Sequence, residues 1–188
     1  NTVRRIVALA ASLLTAAVAL GSCGSDSEPD AAPPTTSTES GIQVTGEVGA
    51  KPELEVPAGD PPAELVVDVL SEGDGSEVAA GDFLVANYLG QTWAAGGDGA
   101  ANVFDNSYDR GSPAGFPIGE GSVITGWDEG LVGQKAGSRV LLVVPPDKAY
   151  GDTPPEGSPI EAEATLIFVV DTVDSYGAEA AIPVSPVP

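Results

Sequence analysis

The chain has 188 residues, which suits one domain with appendages, since domains run to about 100–200 residues. It holds no histidine and one cysteine, which excludes internal disulfides, His/Cys metal sites and Ser–His or Cys–His nucleophile pairs. A formal charge of -21 repels phosphate backbones and argues against nucleic acid as a partner, while 24 glycines and 17 prolines favour a turn-rich β architecture over long helices.

Arg4-Arg5, an apolar run from Ile6 to Leu20, and Leu20-Gly21-Ser22-Cys23 have the order of a secretory signal: basic, hydrophobic, small. The run is shorter than the roughly 20 residues of a spanning helix, so residues 1–22 are expected to be a signal peptide that is removed. Cysteine directly after Leu-Gly-Ser resembles a bacterial lipobox. It would make Cys23 the lipidated first residue of an exported protein held on the outer face of the cytoplasmic membrane. An unmodified cysteine behind an ordinary signal peptide is the alternative.

Residues 23–60 read as a linker. From 24 to about 41 they are mostly Ser, Thr, Pro, Asp, Glu and Ala without apolar periodicity, as in a flexible tether. Leu54-Glu55-Val56 suggests a short edge strand, closed by the proline-rich stretch at 57–62. The folded domain is read over residues 61–175. Residues 65–70 and 82–88 read as strands, and inward-facing Tyr88 would carry a hydroxyl that needs a partner. The loop tip at 96–99 contains an acid but lacks Ca²⁺-loop spacing.

Residues 103–107 and 116–118 are short extended pieces joined by a turn. Gly121 to Gly130 then sets Val123, Ile124 and Trp127 among glycines, with Asp128 and Glu129 placed for the first turn of a short helix. The β-branched runs at 138–145 and 165–173 carry the strongest strand signal, and the long loop between them reads as an ordered flap. Both runs are apolar on both faces. If Val140, Leu142, Val144, Leu166, Phe168 and Val170 face the core, then Leu141, Val143, Ile167 and Val169 need a cover. Residues 42–56 are expected to supply it. Residues 176–188 read as a disordered tail.

Val-Phe-Asp-Asn-Ser at 103–107, Val-Ile-Thr-Gly-Trp-Asp-Glu-Gly at 123–130, Ala-Tyr-Gly at 149–151 and Ala-Thr-Leu-Ile-Phe at 164–168 occur in that order. Together they resemble the FKBP-type peptidyl-prolyl cis-trans isomerases, over about Glu64 to Asp174. The resemblance implies an α+β fold, a twisted antiparallel half-barrel wrapped around one short helix, with a proline pocket between sheet and helix. It makes Trp127 the floor, Tyr88, Phe104, Val123, Ile124 and Phe168 the walls, and Asp105 and Tyr150 the polar groups that act on substrate. Ile160 would be the aliphatic residue of the flap, and Arg110 would pair with Asp105 at the rim.

Two departures stand out. Ala114 replaces an aromatic rim residue common among relatives, and the loop between Tyr88 and Phe104 is longer and carries Trp93. The implied reaction is rotation about X-Pro bonds of exported polypeptides, needing neither nucleophile nor cofactor. A monomer is expected, with the membrane met through Cys23. A non-catalytic module that binds proline segments, or a cell-surface chaperone, is the alternative.

Overall fold

The computed structural model describes residues 35–94 and 103–177, all within one compact unit, Ala32–Pro188. The signal peptide expected at 1–22, the lipidation expected at Cys23, and the loop tip at 96–99 lie outside the described residues. Among those residues the strands are β1 (Thr35–Ser37), β2 (Gln43–Thr45), β3 (Glu53–Glu55), β4 (Val66–Ser71), β5 (Phe83–Thr92), β6 (Val103–Asn106), β7 (Ala114–Pro117), β8 (Arg139–Val144) and β9 (Leu166–Tyr176). One α-helix, α1 (Thr125–Leu131), lies between β7 and β8.

Strands β1 to β3 form a small antiparallel sheet, and the main antiparallel sheet runs β4-β8-β9-β5-β6, with β7 also paired to β5. The period of two in β8 and β9 sorts their side chains between two cores. Val140, Leu142, Val144, Leu166, Phe168 and Val170 join Trp127 and Leu131 of α1 on the inner face. Leu141, Val143, Ile167 and Val169 meet Ile42, Val44, Leu54 and Val56 on the outer face. The expected cover is therefore present, as a paired three-stranded layer.

Order begins earlier than the linker reading of residues 23–60 anticipates. Residues 35–37 already pair with β2, and the four outer-layer side chains are nearly fully buried. Each such burial is worth about 1.5–3 kcal/mol before ordering entropy is charged against it. At the other end β9 runs through Tyr176, so strand structure extends into the stretch expected to be a tail.

A buried ion pair fastens the layer. Arg139 donates from Nε and Nη2 to the two carboxylate oxygens of Asp171, at 2.6 and 2.7 Å. The loop joining β2 to β3 closes over this pair: Gly49 N donates to Asp171, and the carbonyls of Gly46 and Ala50 accept from Arg139. The guanidinium is thus satisfied where an unpaired buried charge would be costly.

The helix lies flush on the sheet because two glycines face it. A Cβ at Gly126 would sit 2.4 Å from a methyl of Val144, and one at Gly130 would sit 2.6 Å from a methyl of Leu142. The bare backbone at Gly126 thus makes room for β8.

Candidate functional site

Tyr88 stands on β5 facing the inner core, and its backbone is held to the turn after β6. Its amide donates to Ser107 Oγ at 2.9 Å, and its carbonyl accepts from the Ser107 amide at 2.9 Å. Ser107, fully buried, also donates to the Asn87 side chain. This small residue was not singled out in the sequence, yet it fixes β5 against the turn that carries Arg110.

Strict alternation would send Phe104 and Asp105 to opposite faces of β6. A register shift prevents this: Gly90 pairs with Asp105 while Gln91 pairs with Val103, leaving Phe104 as the extra residue of a β-bulge. Phe104 then packs edge-on against Phe168, centroids 5.7 Å apart, and Asp105 accepts a hydrogen bond from the Tyr88 hydroxyl. Gly90 makes the crossing possible, since a Cβ there would fall 2.8 Å from both Phe104 and Phe168.

The polar half of the site is a closed triangle. Tyr88 donates to one oxygen of Asp105, Arg110 Nη1 donates to the other, and Arg110 Nη2 donates to the Tyr88 hydroxyl at 2.8 Å. The guanidinium also lies 5.4 Å from the Tyr88 ring centroid. Burial by itself would raise the Asp105 pKa, but the Tyr88 and Arg110 hydrogen bonds and the Arg110 charge outweigh it and hold the carboxyl below the ordinary carboxylate value. Burial first, and then the hydrogen bond to Asp105, pushes the Tyr88 phenol upward. Both Asp105 and Arg110 are nearly half exposed, and exposed pairs are worth about 0–1 kcal/mol, so this pairing orients the acid more than it stabilises the fold.

The apolar half is a ring cluster centred on Trp127, which is 4% exposed. Three rings meet it edge-on: Phe116 at 4.9 Å, Phe168 at 5.4 Å and Tyr88 at 5.5 Å between centroids. Phe116 is a contact that sequence reading missed. It alternates with Ala114 along β7, and this period of two was the available signal. The Trp127 indole nitrogen is buried with no hydrogen-bond partner among the described residues.

Val123 and Ile124 are partly buried against the same cluster. Ile124 is the N-cap of α1 in extended conformation, so its N–H lies outside the helical ladder. Asp128 does more than favour the helix dipole: its carboxylate accepts from the amides of Gly119 and Gly121 at 2.6 and 2.7 Å, tying the loop that delivers Val123 and Ile124 to α1. Ile160 and Phe168 are core members, at 8% and 4% exposure.

Tyr150 is 37% exposed on the flap. Partial burial first, and then the nearby Asp105 charge, raises its pKa, so the hydroxyl remains a donor beyond the ordinary phenol range. The flap is moored just before it, where Lys148 pairs with Glu129 of α1 at 2.6 Å. Tyr88, Phe104, Val123, Ile124, Trp127, Ile160 and Phe168 thus share the inner core, Asp105 and Arg110 are tied to Tyr88, and Tyr150 lies within reach of the Asp105 charge.

Clefts of about 450 and 430 Å³ are lined by other residues, whereas one of about 1210 Å³ shares Phe104 and Asp105 with the site. What marks the site is the convergence of rings with an oriented carboxylate and an exposed phenol.

Residues 75–173 match the family described as FKBP-type peptidyl-prolyl cis-trans isomerase. An FK506-binding protein of Streptomyces anulatus is 42% identical over 123 residues, covering 65% of this chain and 95% of the relative. A probable FK506-binding protein of Corynebacterium glutamicum is 37% identical over 127 residues, covering 66% and 98%. Among solved structures, FkpA from Escherichia coli is 38% identical with a TM-score of 0.52, over 61% of this chain and 49% of that one, so the chain spans about half of its length. AtFKBP13 is 31% identical with a TM-score of 0.50, over 58% and 91%.

Proposed function

The chain belongs to the FKBP-type peptidyl-prolyl cis-trans isomerase family, and from that premise we propose that its Trp127 ring cluster holds the proline ring while Asp105 and Tyr150 face the adjacent amide. An X-Pro bond rotates slowly, in about 10–100 s, because resonance keeps the amide planar. Water favours the charge-separated planar form. An apolar surface weakens that preference, and a site that fits the twisted amide better than either planar isomer lowers the barrier without breaking a bond.

In this reading Trp127, Phe104, Val123, Ile124 and Phe168 supply the apolar surface. The Ile124 N–H and the Tyr150 hydroxyl are donors for substrate carbonyls. Asp105 is held ionised and aimed by Tyr88 and Arg110, so that its field acts at the rim. The observation that carries the reading is the placement of this oriented carboxylate beside the Tyr88 edge of the Trp127 cluster.

We further propose that the clients are exported polypeptides and that Cys23 anchors the protein by lipid on the outer face of the cytoplasmic membrane, as a monomer. The support is the order of basic, apolar and small residues ahead of Cys23. Cys23→Ser should free the mature chain from membranes, and persistent membrane association would remove the anchor.

Refolding of a proline-limited protein tests the catalytic reading. The parent should shorten the slow phase at substoichiometric amounts, and Trp127→Ala should abolish the effect. A slow phase unchanged by stoichiometric parent protein would leave only segment binding. Aggregation suppression that survives Trp127→Ala would point to a chaperone.

A further inference from the structure

The cleft of about 1210 Å³ runs along the edge of β6, bounded across from it by β3 and the loop that enters β3. β3 ends the small sheet and β6 ends the main one, so among the described residues each presents an unpaired row of backbone donors and acceptors. Phe104 and Asp105 line this cleft and also belong to the prolyl site, which makes the two continuous around the β6 edge.

Its walls are acidic. Glu53 and Glu55 project from β3, and Asp105 and Asp109 come from the β6 side; Lys51, the cation among them, already pairs with Asp109 at 2.8 Å. One observation sets the cleft apart from an ordinary charged surface. Gln91, 1% exposed in its wall, has an amide nitrogen with no hydrogen-bond partner among the described residues. Buried donors are nearly always satisfied, so an orphan beside an open strand edge calls for an acceptor from outside the chain.

We infer that this cleft receives the client residues flanking the prolyl bond, as an extended basic stretch lying between β3 and β6. Main-chain bonding to an open edge gives such a segment affinity without demanding a sequence, and the carboxylates set the charge preference. The inference rests on the isomerase reading of the aromatic site, and it makes that site selective for proline in basic extended segments.

The test compares kcat/KM for a short neutral X-Pro peptide with that for the same peptide carrying a lysine-rich or glutamate-rich extension. With the parent protein, the lysine-rich extension should raise kcat/KM about threefold to tenfold, through KM, as expected for a few exposed charge pairs. Glu53→Lys with Glu55→Lys should abolish that gain and transfer it to the glutamate-rich peptide, with the short peptide unchanged. Glu64→Lys with Asp74→Lys, an equal charge change outside the cleft, should leave the gain in place. The Gln91 side-chain amide resonance should shift on adding the extended peptide and stay still with the short one.

A parent protein indifferent to the extension, a gain that survives reversal at Glu53 and Glu55, or its equal loss in the Glu64/Asp74 variant would overturn the cleft assignment. Catalysis of the short peptide reads out the aromatic site alone. Its absence in the parent would sink the reading on which the inference stands.

Discussion

Tyr88 and Asp105 stand on neighbouring antiparallel strands and meet through a hydrogen bond from phenol to carboxylate, while the Tyr88 ring edge rests against Trp127. One side chain thus belongs to both halves of the site. Tyr88→Phe keeps the ring contacts and deletes the donor to Asp105 together with the acceptor for Arg110 Nη2. It should cost about 1–2 kcal/mol in transition-state stabilisation, roughly a tenfold fall in kcat/KM, because the acceptor is charged and loses one of its two orienting partners. Thermal stability should change little beside that. Peptide isomerisation kinetics and a melting curve on the same sample separate the two effects.

The pH dependence follows from the lowered Asp105 pKa. A carboxyl held below its unfolded value stabilises the fold fully above the unfolded pKa of about 3.9, and the contribution is lost as pH falls through the lower folded value. Activity should therefore be flat across neutral and mildly acid pH and fall only in strong acid. Asp105→Asn should lower the plateau and remove the Asp105 contribution to that acid limb. It should also let the Tyr150 phenol titrate at lower pH, since the Asp105 charge is one cause of its elevation. Ultraviolet titration of the tyrosines in parent and variant checks this.

The outer layer should prove inseparable from the domain. Asp171→Ala leaves the Arg139 guanidinium buried without its carboxylate and removes the Gly49 contact of the β2–β3 loop, and breaking such a pair costs about 3–5 kcal/mol. Removing residues 35–57 should destabilise at least as much and expose Leu141, Val143, Ile167 and Val169 to a hydrophobic dye. Chemical denaturation of both proteins measures the losses; unchanged midpoints would show that the layer contributes nothing.

Gly126→Ala sets two effects against each other. Alanine is the better helix former by about 0.8–1 kcal/mol, whereas overpacking a tight contact costs about 1–3 kcal/mol. With the new Cβ 2.4 Å from Val144, the clash should win and the variant should melt lower. A higher melting temperature would mean that α1 can lift from β8 at little cost.

Much of this was legible in the sequence. The doubly apolar runs at 140–144 and 166–170 announced two buried faces, and the valines and leucine of 42–56 announced what covers one of them. The contents of the site were legible as ordered motifs. Its geometry was less so, because tertiary pairing decides it. Nothing local in Val103-Phe104-Asp105 shows that two adjacent residues serve the same face. The contact of Gly126 with Val144 was not legible, because a sequence cannot say which neighbour approaches a bare backbone. The reach of Asp128 to Gly119 and Gly121, and the lock formed by Ser107, depend on loop paths that no periodicity encodes.

The extra residue in β6 has a consequence for variation along the chain. By holding Phe104 and Asp105 in phase with Gly90, the irregularity works as a local anchor. Insertions in the connection that precedes Val103 can change its length without rotating the acid away from its phenol. A single-residue deletion inside 103–105 has no such latitude: the strand would have to give up either the ring or the carboxylate. Length diversity should accumulate before this point and stop abruptly at it.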